Sequence, residues 1–362
     1  MPESKRSSTS PDPHLWVTVL AGGVGARFWP VSRPSRPKQL LNLTSDRPLI
    51  VETMDRARLL APDPRIRILA GDHLMEPFRR VLPDLPDECL LREPQARGTG
   101  PVLAWAAWLL HERDPDAVLV SLHSDHMIRH TDAFRELLGE AAALARREDL
   151  LVTIAIKPTR PETGYGYIQP GEALSHEGSA EAYRVAQFIE KPDEITAARY
   201  LATGYLWNSG IFVWTARRFL EEVRSHAPEI GDLLPLLEQG KTEEFFETVP
   251  VATVDVAVLE HSKRIAMMAA TFEWDDVGSW ESLFRTLDMD ADGNVGVGDA
   301  YAIDSVDTLI YGTDKPVVVF GVDNLVVVRT PEATLITTRE KAPHLKDVLD
   351  QLPPHVRGAG TK

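Results

Sequence analysis

A single cysteine, Cys89, leaves this 362-residue chain unable to close an intramolecular disulfide or to build a thiolate metal cluster, and fits a reducing compartment. Long apolar runs are missing as well. No stretch approaches the roughly 20 apolar residues of a membrane span, and residues 1–13, MPESKRSSTSPDP, lack the apolar segment of a secretory signal. Those residues read as a frayed tail, and the cytoplasm is the expected location, with no membrane partner. Basic residues are in deficit: the formal net charge is -15, so the basic face that a nucleic-acid backbone demands is absent and such a partner is excluded. With 43% hydrophobic residues the chain can still bury a substantial core in one large or two ordinary domains.

Against this acidic background one segment stands out. LAGGVGARFWPVSRPSRPKQLL, residues 20–41, follows an apolar run and carries Arg27, Arg33, Arg36 and Lys38 with no acid between them. A dinucleotide fingerprint does not fit, because counting from Gly23 and Gly25 puts Phe28 where the third glycine belongs. A P-loop does not fit either, since no Gly-Lys-Ser/Thr follows. What remains is a loop whose backbone N–H groups at Gly22, Gly23 and Gly25 can approach a polyphosphate closely, with Arg27 and Lys38 supplying charge.

The apolar segments LWVTVLA, RIRILA, AVLVSLH and LLVTIAI read as buried strands, separated by helical patterns at about 48–60, 73–82, 101–113 and 131–147, with Pro48 and Pro101 at helix starts. This alternation predicts an α/β fold, a Rossmann-like and mostly parallel sheet with helices on both faces and ligands beyond the carboxyl ends of its strands. From about residue 160 shorter aromatic segments, mixed with helices near 193–202, 215–226 and 278–288, read as an insertion walling off the sheet. After residue 291 short strands separated by turns (YAIDS, DTLIYG, PVVVFG, NLVVVRT, ATLITT) predict a small C-terminal all-β unit over 292–362, with a short β-helix as one form of it.

The 20–41 segment resembles the signature of the sugar-1-phosphate nucleotidylyltransferases, and its Trp-Pro and Pro-Lys-Gln details are similar to the mannose-1-phosphate guanylyltransferase branch. SDHMI at 124–128, TGYGYI at 163–168, FIEKP at 188–192, WNSGIF at 207–212 and WDDVGSW at 274–280 recur in the family's order and carry the likeness over about residues 15–340. The resemblance implies a nucleotidyltransferase domain over 14–291, GTP and mannose 1-phosphate as substrates, and Mg²⁺ as cofactor. It leaves open another nucleoside triphosphate or another sugar 1-phosphate, such as manno-heptose or glucose, and allows a homodimer. The chain's length beyond the β tail implies a monofunctional enzyme without the isomerase domain of longer relatives.

By the same resemblance Asp125 and Asp276 hold the metal, Arg27 and Lys38 meet the leaving pyrophosphate, and Lys191 fixes the attacking sugar phosphate. Ala21, Gly22, Gly23, Gly25, Glu93, Gln95, Gly98 and Thr99 bind the nucleotide, and Gly166, Glu190 and Asn208 hold the sugar. The residues support several of these roles on their own terms. Asp125 closes a buried strand at the sheet's carboxyl edge, where a hard carboxylate can ligate a phosphate-bound Mg²⁺. Asn208 is both donor and acceptor, suited to a hydroxyl pair, and Gly166 lets a ring lie against backbone. Asp275 is then the solvent-facing or capping neighbour of Asp276, His123 and His126 are structural, and Tyr165, Trp207 and Trp214 are core or sugar platforms. One segment departs from the family: EPQARGTGP, 93–101, has Gly98 and Gly100 where Asn and Ala commonly stand, and AGDH at 70–73 lacks a Thr-Asn pair, so the base pocket is where this chain differs. A sugar-nucleotide sensor without the metal site, and a phosphohydrolase, are the rival readings; the acids and cations retained weigh against the first, and nothing that activates water supports the second.

Overall fold

The structure, a computed structural model, describes residues 12–23, 25–176 and 178–358. Most of the expected N-terminal tail lies outside the described residues. Its last acid does not fray: Asp12 accepts from the His14 N–H at 2.9 Å and pairs with Arg146 at 2.8 Å.

The core is one nine-stranded sheet flanked by helices. In chain order the strands are β1 (Leu15–Leu20), β2 (Ile66–Gly71), β3 (Leu90–Glu93), β4 (Val118–His123), the short β5 (Met127–Arg129), β6 (Leu151–Ile156), β7 (Tyr167–Ala173), β8 (Ala182–Ile189), β9 (Leu206–Thr215), β10 (Ile265–Ala269) and the short β11 (Glu273–Asp275). Their order across the sheet is 3-2-1-4-9-6-10-8-7, with β5 and β11 forming a separate antiparallel pair. Every residue of β1 is buried, as a near-continuous apolar run requires when helices cover both faces of a parallel strand. The main helices are α1 (Leu49–Arg58), α2 (Asp72–Val81), α3 (Thr99–Arg113), α4 (Thr131–Glu148), α5 (Glu194–Ala202) and α6 (Ala216–His226). None is long and apolar enough to cross a membrane among the described residues.

The four strands expected from the sequence form, but the aromatic segments after residue 160 do not make a separate wall. β9 inserts antiparallel between β4 and β6, and the β7–β8 hairpin continues the same sheet beyond β10. The reason lies in burial on both faces. Ile211, Val213, Phe212 and Trp214 alternate along β9, the first two packing into the apolar cluster with α1 and α4, the last two into the cluster with α3 and α6. A strand of that composition belongs at the centre of a sheet.

β12 (Val295–Val297), β14 (Leu309–Gly312) and β16 (Leu325–Arg329) pair in parallel, as do β13 (Ala300–Ile303) and β15 (Val317–Phe320), and β17 (Thr334–Thr338) closes on β16 antiparallel. Short parallel strands stacked through turns are the pattern of a β-helix. Ile310, Val319 and Val327 form a small core between its two sheets, and Val295, Leu309, Tyr311, Val326 and Val328 face away from it. The latter residues share one apolar cluster with Phe28, Trp29, Val31, Leu41 and Leu43 of the loop after β1 and with Trp280, Leu283 and Phe284. Trp280 sits edge-on between Phe28 and Tyr311, with centroids 5.1 Å from each, and donates its indole N–H to the Trp29 carbonyl at 3.0 Å. Arg339 adds a polar clamp, pairing with Glu281 at 2.7 Å and Asp307 at 3.1 Å while lying over the Phe284 ring.

Candidate active site

Register places the chemistry. Leu20 at the end of β1 is level with Leu69 of β2 and His123 of β4, so the loop after β1 and the turn after β4 emerge side by side at the sheet's carboxyl edge. Two adjoining cavities open there. One, of about 330 Å³, is lined by Ala21, Gly22, Gly23, Glu93, Gly98, Thr99 and Asp125 among others; the next, of about 370 Å³, by Gly25, Arg27, Lys38, Asp125, Asp276 and Lys346 among others. His123 and Asp125 line both and form the seam between them.

The glycines of the loop serve two different ends. A Cβ on Gly22 or Gly23 would meet nothing within 4 Å, so their backbone faces open cavity. Gly25 has φ +67°, and a Cβ there would come within 2.4 Å of the Lys38 Cβ. Gly25 therefore makes room for Lys38, whose buried ammonium lies 2.8 Å from Asp125 Oδ2 and donates to the Asp276 carbonyl at 2.7 Å. Gln39 braces the loop by donating to the Gly23 carbonyl at 2.7 Å.

Burial by itself disfavours the Asp125 carboxylate, but the Lys38 ammonium and the neighbouring His126 and His123 outweigh it and hold the carboxyl at about 2. The two imidazoles are pushed the other way. Burial lowers both, His126 well below the usual histidine range, so they stand neutral. His126 Nδ1 accepts from the Trp274 indole at 3.1 Å, and a Cβ on Gly210 would sit 2.7 Å from His123 Nε2, which is why β9 carries glycine where it passes β4. His123, Asp125 and His126 nevertheless bring ligand atoms within 4.8 Å of one another, a convergence that reading them as structural alone did not anticipate.

Asp276 follows β11 directly, and its carboxylate Oδ1 accepts from the Tyr165 hydroxyl at 2.5 Å. Tyr165 is thus neither plain core nor a free sugar platform: burial and Asp276 raise its pKa and keep it a donor. Trp207 and Trp214 are buried, and Arg160 covers the Trp207 ring at 5.0 Å. Asp275 is buried rather than solvent-facing. It caps the Val277 N–H at 2.8 Å and takes a two-pronged contact from Arg285, so its adjacency to Asp276 is structural. Asp125 and Asp276 line one cavity with hard oxygen donors, and an ammonium already rests between the Asp125 carboxylate and the Asp276 carbonyl. That donor set fits an oxygen-seeking divalent cation such as Mg²⁺.

The residues expected to bind a nucleotide are mostly brought together. Glu93 is buried, which raises its pKa, and accepts from the Arg97 N–H at 3.3 Å. Gln95 turns outward to Arg97 at 2.8 Å and does not line the cavity. The departures at 98 and 100 have a steric cause. Gly98, at φ +84°, would drive a Cβ to 2.4 Å from the Ala252 carbonyl, and Gly100 donates to that carbonyl at 3.0 Å. In this chain the segment 250–254 packs against the 93–101 loop, with Thr99 Oγ1 accepting from the Val254 N–H at 2.9 Å.

Gly166, Glu190, Lys191 and Asn208 gather in a separate cluster outside the lining of both cavities. Lys191, at φ +46°, pairs with Glu190 at 2.5 Å. A Cβ at Gly166 would come 2.7 Å from Glu190 Oε2, so the space cleared by that glycine is taken by the carboxylate rather than left for a ring. Asn208 is already engaged: Oδ1 accepts from Thr153 at 2.8 Å and from the Gly210 N–H at 3.2 Å, and Nδ2 donates to Asp255 at 2.9 Å. Asp255, in a π-helical turn at Asp255–Leu259, was not singled out from the sequence. Burial and then the charge of Glu190 push it up to about 7. A lone Asp in VATVDVAVLE gives no local signal of such a place.

Similarity to known proteins agrees with this geometry. Residues 17–293 match the family model described as nucleotidyl transferase, and residues 298–352 the MannoseP isomerase/GMP-like beta-helix domain. A mannose-1-phosphate guanylyltransferase of Salmonella muenchen is 35% identical over 357 residues, covering 93% of this chain and 73% of its own. An alginate biosynthesis protein AlgA of Pseudomonas fluorescens is 37% identical over 348 residues, covering 92% and 71%. A solved structure from Thermus thermophilus, described as a mannose-1-phosphate geranyltransferase, superposes with a TM-score of 0.84 at 31% identity over 93% of this chain and 99% of that one.

Proposed function

The chain belongs to the nucleotidyl transferase family, and from that premise we propose that it transfers a guanylyl group from GTP to α-D-mannose 1-phosphate, giving GDP-mannose and pyrophosphate. The observation that carries the reading is the convergence of Arg27, Lys38, Asp125 and Asp276 on one cavity next to a glycine-lined nucleoside-sized one. A sugar-phosphate oxygen attacks the α-phosphorus, the bond to the bridging oxygen breaks, and pyrophosphate leaves. The nucleophile is already an anion, so no general base is required, and the neutral His123 and His126 need not serve as one. Positioning and charge neutralisation are what the protein contributes. Lys191, with Glu190 beside it, holds the attacking phosphate and the sugar; Arg27 and Lys38 meet charge building on pyrophosphate. Asp125 and Asp276 would hold Mg²⁺, which supplies further neutralisation between the two reactants.

The catalytic unit is 14–291, with 292–362 as the β-rich domain, acting in the cytoplasm and compatible with a homodimer. The same transfer with another nucleoside triphosphate is the second reading, favoured by Gly98 and Gly100 and the packing of Ala252 on them, and manno-heptose 1-phosphate or glucose 1-phosphate are the alternative acceptors. Pyrophosphate release across a matrix of four nucleoside triphosphates and several sugar 1-phosphates tests both. GTP with mannose 1-phosphate should give the highest kcat/KM, and a clear maximum at another pair would replace the substrates.

A further inference from the structure

The cavity that holds Lys38 and Asp125 has one wall contributed by the C-terminal region. Lys346, in the short helix Leu345–Leu349, lines it together with Arg27, Asp276 and Gly278. The placement is held from behind. Leu345, the residue before it, is 4% exposed and packs with Phe28 and Trp29, the residues that follow Arg27, and Ala342 is fully buried in the same cluster. The edge-on contacts of Trp280 with Phe28 and Tyr311 tie the β-helix to the same loop, and Arg339 clamps it to Glu281 in the neighbouring turn. Lys346 is therefore carried on a docked element.

The cations of this cavity differ in availability. Lys38 is committed to Asp125 and to the Asp276 carbonyl. Arg27 and Lys346 are exposed to the cavity, and neither pairs with a carboxylate among the described residues. A triphosphate carries about four negative charges at neutral pH, and a site whose one buried lysine is already matched by an aspartate needs further cations at its far end. We propose that Lys346 is a binding residue for the β- and γ-phosphates, so that the β-helix domain adds a cation to the pyrophosphate-leaving site. The inference rests on the nucleotidyl-transfer reading and adds to it a residue from outside the catalytic sheet.

The test is calorimetric titration of the full-length protein with Mg²⁺ and, separately, inorganic pyrophosphate, GTP and GMP, for the native chain, Lys346→Met and Lys346→Arg. Lys346→Met should weaken pyrophosphate and GTP about tenfold, leave GMP unchanged because it lacks the distal phosphates, and leave the melting temperature unchanged because the side chain is exposed. Lys346→Arg should restore most of the loss. Equal pyrophosphate affinity in the native and Lys346→Met proteins overturns the inference while leaving nucleotidyl transfer standing, and so does an equal loss for GMP. A native protein that binds neither GTP nor pyrophosphate overturns both.

Discussion

Lys38 and Asp125 meet at 2.8 Å across the seam between the two cavities, a contact made by residues 87 positions apart and possible only because Gly25 has no side chain to block the lysine. The pair keeps Asp125 ionised with its carboxyl at about 2, and it marks the place where a cation is already held before any substrate arrives.

Asp125→Asn and Asp276→Asn should each lower turnover on the order of 10²-fold or more through weakened Mg²⁺ placement. Both side chains face a cavity, so folding should survive, as circular dichroism and thermal melting can verify. Full activity of either variant at saturating Mg²⁺ contradicts the metal assignment.

The two kinds of glycine in the loop give opposite signatures. Gly25→Ala puts a Cβ into Lys38 at positive φ and should lower stability by roughly 1–2 kcal/mol as well as activity, since the lysine must move away from Asp125. Gly22→Ala meets open space, so melting should stay unchanged while GTP affinity falls. Unchanged GTP affinity in Gly22→Ala would remove that backbone from the phosphate path.

Much of this site was legible beforehand because its residues sit at strand ends, where the α/β rule puts ligands: Asp125 after β4 and the glycine loop after β1. The β-branched runs of β1, β4 and β6 gave the central strands for the same reason. β9 was misplaced, since its aromatic and polar residues WNSGIFVW read as a peripheral segment, and only burial on both faces shows it to be central. Asp255 and Lys346 carried no signal. Each is a single charged residue with no motif around it in the sequence, and its role depends on contacts with Asn208 in one case and on docking of a distant helix in the other. The same limit explains Gly166 and Asn208, whose neighbours Glu190, Thr153 and Asp255 come from other strands and turns.

Lys191→Ala should reduce mannose 1-phosphate affinity roughly ten- to a hundredfold, the loss of one charge-assisted contact. GTP binding with Mg²⁺ and no sugar present should barely change, because Lys191 lines neither cavity. Loss of GTP binding instead would reverse the two halves of the cleft.

Asp255 makes a pH-dependent prediction. Its folded-state pKa of about 7 lies above the ordinary carboxyl value, so the neutral form is favoured by folding: its contribution is fully present below about pH 4 and is lost as pH rises through 7. Asp255→Asn carries no charge to desolvate. In urea denaturation its stability relative to the native chain should rise between pH 5 and 7 and level off near pH 8, by roughly 1–4 kcal/mol in total. A difference that does not vary with pH contradicts the environment assigned to Asp255.

Nucleotidyl transfer to a sugar phosphate is defined by where the transferred phosphorus goes. The purified protein should be given Mg²⁺, mannose 1-phosphate and GTP labelled at the α- or, separately, the γ-phosphorus. The prediction is that the α-label appears in GDP-mannose and the γ-label in pyrophosphate, one for one, with neither formed when mannose 1-phosphate is omitted. An α-label recovered as GMP, or a γ-label recovered as free phosphate without a nucleotide sugar, would contradict nucleotidyl transfer to a sugar phosphate.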